Sequence, residues 1–561
     1  MANSAFLDSR NATDSVGGQI ARTLAELGVT TIFGVISIHN MPILDAIARQ
    51  QKIRFVTARG EAGAMNMADA YSRVSGKLGV AITSTGTGAG NAAGSQVEAL
   101  TAGSPVLHIT TTVDRSLMDR DRAAIHDVPR QPDMLKAISK AYFRVWEAHN
   151  AVDVLIAAAQ AALSAPRGPV TLEIPIDVQR LSTPVRQQQA ICSTTALVPD
   201  SKLLDAVAEL ARNAKRPMLW LGGGARDAAQ AATQLVERGF GAVTSTQGRA
   251  AVPEDHPRSL GAFNMTPAAE QIYQRCDFML VVGSRLRGNE TRNNEMKLPS
   301  PLVQIDAEPS QAGRNYPVSL FINGDARLAL EGLLERLPPT LESDAAFLHD
   351  ISIARAMSEG ALRSTLGPYQ VIADILLARV RSGRNPFVRD VTLSNSIFGN
   401  RYVQIAAPNL GVHALGGGIG QGIAMSIGAA LAGEPAKTVA LVGDGGAMLM
   451  IGELATMVEQ QANVVVVLMN DRGYGVIRNI QDAQYEGRRA YADLLTPNFP
   501  MLCQSVGLPH DLVTRADGFE AAFDRALAVK GPCVVEVDMT ALGPFSKAFA
   551  GPPAGSAGSV R

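Results

Sequence analysis

Four cysteines in 561 residues, at positions 192, 276, 503 and 533, form no Cys-x-x-Cys pair. A disulfide framework and a zinc site are therefore not expected, and buried thiols in a reducing compartment are the simple reading. Aromatic residues make up only 5% of the chain, a balance that suits α/β domains better than a β-sandwich. Charge of one sign is missing as well: 51 Lys and Arg stand against 52 Asp and Glu. No Lys/Arg block stands out, so neither a nucleic acid nor an acidic membrane surface is an expected partner. No apolar run reaches the ~18 residues a membrane span needs. The start, Met1–Ser15, is polar and carries acids, unlike a signal peptide. A cytoplasmic protein acting on small molecules is the expectation.

What the chain does have is glycine, 52 of them, and an alternation of short β-branched runs with Ala/Leu-rich stretches. That alternation predicts parallel sheets with crossover helices, an α/β fold. It falls into three doubly wound blocks. Residues 1–185 hold strand candidates Thr30–Val35, Arg54–Ala58, Leu78–Ser84, Pro105–Thr111 and Pro169–Pro175. Residues 195–340 hold Pro217–Leu221, Ala242–Thr246, Phe278–Gly283, Leu302–Asp306 and Leu320–Asn323. Residues 365–545 hold Val388–Ser394, Thr438–Val442, Val464–Met469 and Cys533–Asp538. Polar stretches at 181–200 and 337–347 read as linkers. The Gly/Pro/Ser/Ala-rich end, 546–561, reads as a mobile tail or a lid over substrate. No short repeat is visible, which excludes solenoids and propellers.

The segment Thr438–Tyr474 is the most informative. A strand runs into Gly443-Asp444-Gly445-Gly446, a helix follows, and a second strand ends at Asn470-Asp471-Arg472-Gly473. Ligands of a parallel sheet sit beyond the carboxyl ends of its strands, so Asp444 and Asp471 would converge as hard oxygen ligands suited to Mg²⁺. The glycines allow close approach to phosphate oxygens at a helix N-terminus. Alone, Gly-Asp-Gly is also an ordinary turn. Further upstream, Glu61 opens a helix after a strand, among Ala62, Gly63, Ala64 and Ala68. Such a carboxylate also simply complements a helix dipole, but the small neighbours point to something packed tightly on that turn.

Gly443-Asp444-Gly445 followed by Asn470-Asp471 resembles the metal–diphosphate motif of thiamine diphosphate enzymes. The resemblance implies Mg²⁺ on Asp444, the side chain of Asp471 and the carbonyl of Gly473. It places Gly443, Gly445, Gly446, Asn470 and Tyr474 around the cofactor. Asp471 departs from the family's usual Asn and adds negative charge near the diphosphate. Glu61 with Ala68-Asp-Ala-Tyr-Ser-Arg73 resembles the family's pyrimidine-domain signature, which makes Glu61 the group that activates the cofactor. The run His413–Gly422 resembles the loop whose carbonyl at Gly417 takes the 4′-amino group and whose bulky residue, here Ile419, props the cofactor into a V. His39 resembles the active-site histidine position of benzaldehyde lyase. His126 and Gln131 fall where relatives carry a polar pocket residue, and Ser84–Asn91 resembles the loop on the substrate side. For His39, His126, His413 and Arg478 structural roles stay open.

The resemblance covers nearly the whole chain and joins three sub-families, acetolactate synthase, benzoylformate decarboxylase and benzaldehyde lyase. Against a true acetolactate synthase, Val476–Gln484 lacks the tryptophan found there, and Val178–Val185 lacks the family pattern. A 2-oxoacid decarboxylase or carboligase is implied, with an acyloin or 2-hydroxyacyl lyase as the alternative. Two further readings stand beside these: a flavin oxidoreductase built on the middle block, and a catalytically silent relative. Some relatives bind FAD in the middle block, but Gly222–Gly224 matches no strong dinucleotide fingerprint. A homodimer or homotetramer with active sites between subunits is also implied.

Overall fold

The computed structural model describes residues 12–551 apart from 121, 187–190 and 193. Buried β-branched runs become strands, and the Ala/Leu stretches between them become crossover helices. The first sheet uses strands β2 (Thr31–Gly34), β3 (Arg54–Thr57), β4 (Gly79–Ile82), β5 (Val106–Thr112), β6 (Ala141–Arg144) and β7 (Val170–Pro175), all parallel, in the order β3-β2-β4-β5-β7-β6. A small antiparallel pair, β1 (Thr13–Ser15) with β8 (Ser182–Pro184), flanks it. The expected linker from 181 therefore begins as a strand.

The second sheet, β9 (Pro217–Leu221), β10 (Gly241–Thr244), β11 (Phe278–Val282), β12 (Leu302–Asp306) and β13 (Leu320–Asn323), is parallel in the order β10-β9-β11-β12-β13. The third uses β14 (Phe387–Arg389), β15 (Gly411–His413), β16 (Thr438–Gly443), β17 (Val464–Asn470), β18 (His510–Val513) and β19 (Cys533–Asp538) in the order β15-β14-β16-β17-β19-β18. β16 and β17 are buried along almost their whole length, as strands covered on both faces must be.

The expected strand Val388–Ser394 is mostly not one. Only Phe387–Arg389 is extended, and Asn395–Gly399 coils into a helical turn. The strands β6, β15 and β18 were not expected. Each is short, and its burial is partial, so no continuous apolar run announces it. Of the expected tail, residues 546–551 lie along the helix Gly475–Gln484, with Phe549 N–H donating to Asn479 and Gln484 donating to the Ala550 carbonyl. Residues 552–561 lie outside the described residues. Among the described residues no helix is long and apolar enough to cross a membrane.

Two compact units result. The first gathers the chain up to Thr195 with Ala424–Gly433 and Met450–Ala462, and the second holds the rest. The two C-terminal pieces belong to the first unit by close packing: a Cβ on Gly428 would stand 2.0 Å from the Met67 carbonyl oxygen. In each large sheet the strand order reverses early, between β2 and β4, between β9 and β11, and between β14 and β16, and in the first and third it turns back again at the last two strands. Loops leaving such a point in opposite directions open a crevice at the carboxyl ends of the strands.

Candidate active site

In the first unit the crevice lies between the loops after β2 and β4. His39 follows β2 and is 7% exposed. Its carbonyl accepts from Gln179 Nε2 at 2.9 Å, while its ring Nδ1 has no partner among the described residues. His126 stands edge-on to it, ring centroids 5.4 Å apart. Burial first, then the nearby His126 and Arg180, hold the His39 pKa below its ordinary value, so the ring is neutral near pH 7. His126 itself is exposed and adopts φ +66°. Its carbonyl accepts from Thr85 Oγ1 at 3.3 Å, and a Cβ on Gly86 would stand 2.5 Å from that oxygen. Gln131 does not face the crevice as a free amide. Its Oε1 accepts from Gly86 N–H at 2.6 Å, and its Nε2 donates to Glu173 and the Thr111 carbonyl. It therefore holds the Thr85–Gly86 turn in place.

Glu61 follows β3 and is the first residue of the helix Glu61–Ser75. It is half-buried, and its Oε2 accepts from Asn91 Nδ2 at 3.1 Å. What packs on the thin first turn is Glu453. A Cβ on Gly63 would lie 2.1 Å from Glu453 Oε1. That oxygen accepts from the N–H groups of Arg59 at 3.0 Å and Gly60 at 3.2 Å, and Thr456 donates to Oε2 at 2.7 Å. A buried carboxylate thus satisfies backbone donors at the entry to the helix and complements its dipole. Burial raises the Glu453 pKa, and these hydrogen bonds act against it. No motif marks Glu453 in the sequence; a Glu at the start of a helix is the only signal.

In the second unit the crevice lies between β14 and β16. Asp390 leaves β14 and accepts from Val391 N–H at 2.7 Å, Gly420 N–H at 3.0 Å and Gly422 N–H at 3.1 Å. Burial pushes its pKa up to about 6, against those donors. It pins the loop that carries Gly417, φ +79°, and Ile419, a bulky apolar side chain left 39% exposed. The same loop lies directly on the Gly443–Gly446 turn, because a Cβ on Gly420 would sit 3.0 Å from the Gly446 carbonyl oxygen. His413, expected only as a neighbour of this loop, has Nδ1 3.0 Å from the Arg389 carbonyl.

Asp444 is fully buried. Its Oδ1 accepts from Asp471 N–H at 3.1 Å and its Oδ2 from Gly473 N–H at 2.8 Å. A Cβ on Gly445 would stand 2.8 Å from both the Gly473 carbonyl oxygen and the Tyr474 ring. The turns after β16 and β17 are therefore face to face, as the spacing predicts. Burial raises the Asp444 pKa. It raises Asp471 too, with the Asp444 charge adding to it and Arg478 opposing. Arg478 sits 3.1 Å from the Asp471 carboxylate. Asn470 stands apart: its amide donates to Glu536 at 2.6 Å and its Oδ1 accepts from Arg472 N–H, so it shapes the turn. Among the described residues no group of three or more His, Cys, Asp or Glu could hold a metal.

The central crevice is closed by its own backbone. Gly222 and Gly224 donate to the Val282 and Gly283 carbonyls, and a Cβ on Gly283 would stand 2.5 Å from the Gly224 backbone.

Three family models match in series. Residues 14–136 match the N-terminal TPP binding domain of thiamine pyrophosphate enzymes, 204–333 the central domain and 394–537 the C-terminal TPP binding domain. The chain is 31% identical over 476 residues to the Pseudomonas aeruginosa protein named Probable 2-ketoarginine decarboxylase, covering 83% of this chain and 84% of that one. It is 28% identical over 535 residues to acetolactate synthase isozyme 2 large subunit of Escherichia coli, covering 93% and 95%. With acetolactate synthase of Arabidopsis thaliana it shares 25% identity over 543 residues, 92% of this chain and 80% of that one.

The chain belongs to the thiamine pyrophosphate enzyme family. It is a thiamine pyrophosphate-dependent enzyme of the acetolactate synthase-like kind, a decarboxylase or carboligase. Within this family frame the N-terminal match contains His39, Glu61 and His126, and the C-terminal match contains Gly417, Ile419, Asp444, Asp471 and Gly473. Asp390 lies just before the C-terminal match, yet it holds that domain's loop.

Proposed function

We propose that this enzyme uses thiamine diphosphate with Mg²⁺ to cleave the bond between the carboxylate and the carbonyl carbon of a 2-oxoacid, and passes on or releases the acyl unit. The observation that carries the reading is that Asp444 after β16 and Asp471 and Gly473 after β17 stand on turns that face each other. These are hard oxygen donors on two facing turns, and with diphosphate oxygens they suit Mg²⁺, which needs few protein ligands. Bound there, the cofactor would supply a nucleophile and an electron sink, chemistry that no side chain of the site provides. Glu61 accepts a proton from, or shares one with, the pyrimidine. The Gly417 carbonyl would accept from its amino group, and Ile419, stiff at χ1, would pack against it. His39, neutral and with Nδ1 free, and His126 beside it are suited to move protons on the substrate side. We extend the reading to a homodimer or tetramer in the cytoplasm. No flavin is proposed, because the Gly222 and Gly224 N–H groups are already taken.

The buried His39 with its unpartnered ring nitrogen also favours a second reading, acyloin cleavage of the benzaldehyde lyase kind.

The test is a screen of 2-oxoacids with thiamine diphosphate and Mg²⁺, following CO₂ and products together. One relative's name makes 2-ketoarginine a natural member of it, beside simple acids such as pyruvate. Glu61→Gln should fold with an unchanged melting profile and lose turnover by about 10²–10⁴-fold. Near-wild-type turnover in that variant would sink the reading. Acyloin cleavage without CO₂ release would select the second one.

A further inference from the structure

A polar cleft of about 180 Å³ opens beside the Gly417 loop in the second unit. Its walls include Thr246 after β10, Arg287 and Asn289 after β11, Asn400 and Arg401 after β14, and the loop that carries Gly417. Among the described residues no carboxylate lines it. Among the described residues the Arg401 guanidinium makes no hydrogen bond or ion pair, and burial disfavours its charge, with Glu290 opposing and Arg249 adding to the effect. Glu290 is the nearby acid. It accepts from Thr246 N–H at 2.8 Å and lies 3.7 Å from Arg287. Among the described residues Arg287 otherwise makes only a long contact, 3.5 Å, with the Leu415 carbonyl. Arg249 is fully engaged, bidentate on Glu254 and donating to the carbonyls of Gly399, Asn400 and Val403. One carboxylate, Glu290, thus faces two guanidinium groups, and the cleft keeps a net positive charge. Guanidinium keeps that charge at any working pH and presents paired donors matched to a carboxylate.

We propose that this cleft receives the far end of a 2-oxoacid that carries a second carboxylate, with Arg401 and Arg287 as its specificity residues. The proposal rests on the proposed function, since it makes the cleft an extension of the site beside Gly417 and Ile419. A cationic tail would be repelled there, and an apolar tail would give the Arg401 guanidinium nothing to bond to.

The test uses the holoenzyme and three acids: 2-oxoglutarate, 2-oxopentanoate of equal chain length, and 5-guanidino-2-oxopentanoate. The kcat/KM for 2-oxoglutarate should exceed the other two by about tenfold or more, the worth of one charge-assisted hydrogen bond. The ratio of 2-oxoglutarate to 2-oxopentanoate should collapse in Arg401→Gln and fall in Arg287→Gln. Arg401→Lys, which keeps the charge and loses the fork, should retain part of it. A best substrate with a guanidino or neutral tail, or a ratio untouched by Arg401→Gln, would overturn the proposal. Calorimetric binding of glutarate, which no lyase step consumes, separates the two claims. Glutarate bound by wild type and lost in Arg401→Gln, without turnover of any acid, would leave the anion site standing while the reaction fails. Glu61-dependent turnover of neutral acids without glutarate binding would overturn the site alone.

Discussion

Asp471 shows how one atom exchange reshapes a site. An amide at this position would be neutral, whereas the carboxylate meets the charge of Asp444 in a buried turn. Arg478 answers it, with one nitrogen 3.1 Å from the Asp471 carboxylate and another on Asp493 at 2.9 Å. Arg478→Ala in the metal-free protein should lower the denaturation midpoint by the equivalent of about 1–3 kcal/mol, because two carboxylates are left facing each other. Adding Asp471→Asn to that variant should recover most of the loss. Additive effects in this double-mutant cycle would show that the pair is not coupled. At this scale Glu61, Asp444, Gly417 and Ile419 could be singled out because a motif fixes residue type and spacing together. Asp390 and Glu453 could not. Each is a single acid without a pattern, and each gains its role from backbone N–H groups that only the folded chain brings near it.

At the scale of elements, strands buried on both faces announce themselves as apolar runs, and β9 to β13 fall close to their expected places. Edge strands carry no such signal. The glycine runs are subtler, since the same residues serve a ligand cradle or close backbone packing. After β16 they let Gly445 stand against the Gly473 carbonyl and the Tyr474 ring. After β9 and β11 they fill the crevice. Gly283→Ala should therefore destabilise the central sheet. Its φ of +57° costs an alanine about 1 kcal/mol, and the new Cβ would press on the Gly224 backbone, adding about 1–3 kcal/mol. Urea unfolding, read with the exposure of the buried Trp220 on β9, would check this; an unchanged midpoint would refute it.

At the scale of the molecule, the first and third sheets share one strand order. Counting strands within each from the first parallel one, both read 2-1-3-4-6-5. The sequence shows no repeat, because strand order and crevice position are common to both while the side chains placed there differ. The N-terminal sheet displays Glu61 and the histidines, and the C-terminal sheet the acids of the proposed metal turn. Ligand removal should be felt across the fold. With thiamine diphosphate and Mg²⁺ at a hundred times Kd, stability should rise by about 2.7 kcal/mol. A chelator should reverse that gain in a thermal scan. A melting curve indifferent to the chelator would speak against Asp444 and Asp471 as a metal site.

The cap on the Glu61 helix carries a consequence for synthesis. Arg59 and Gly60 are bonded to a residue 394 and 393 positions further along the chain. A ribosome adding about 5–20 residues each second leaves that helix entry without its carboxylate for on the order of 20–80 s. The entry to the Glu61 helix therefore stays uncapped until most of the nascent chain has left the exit tunnel.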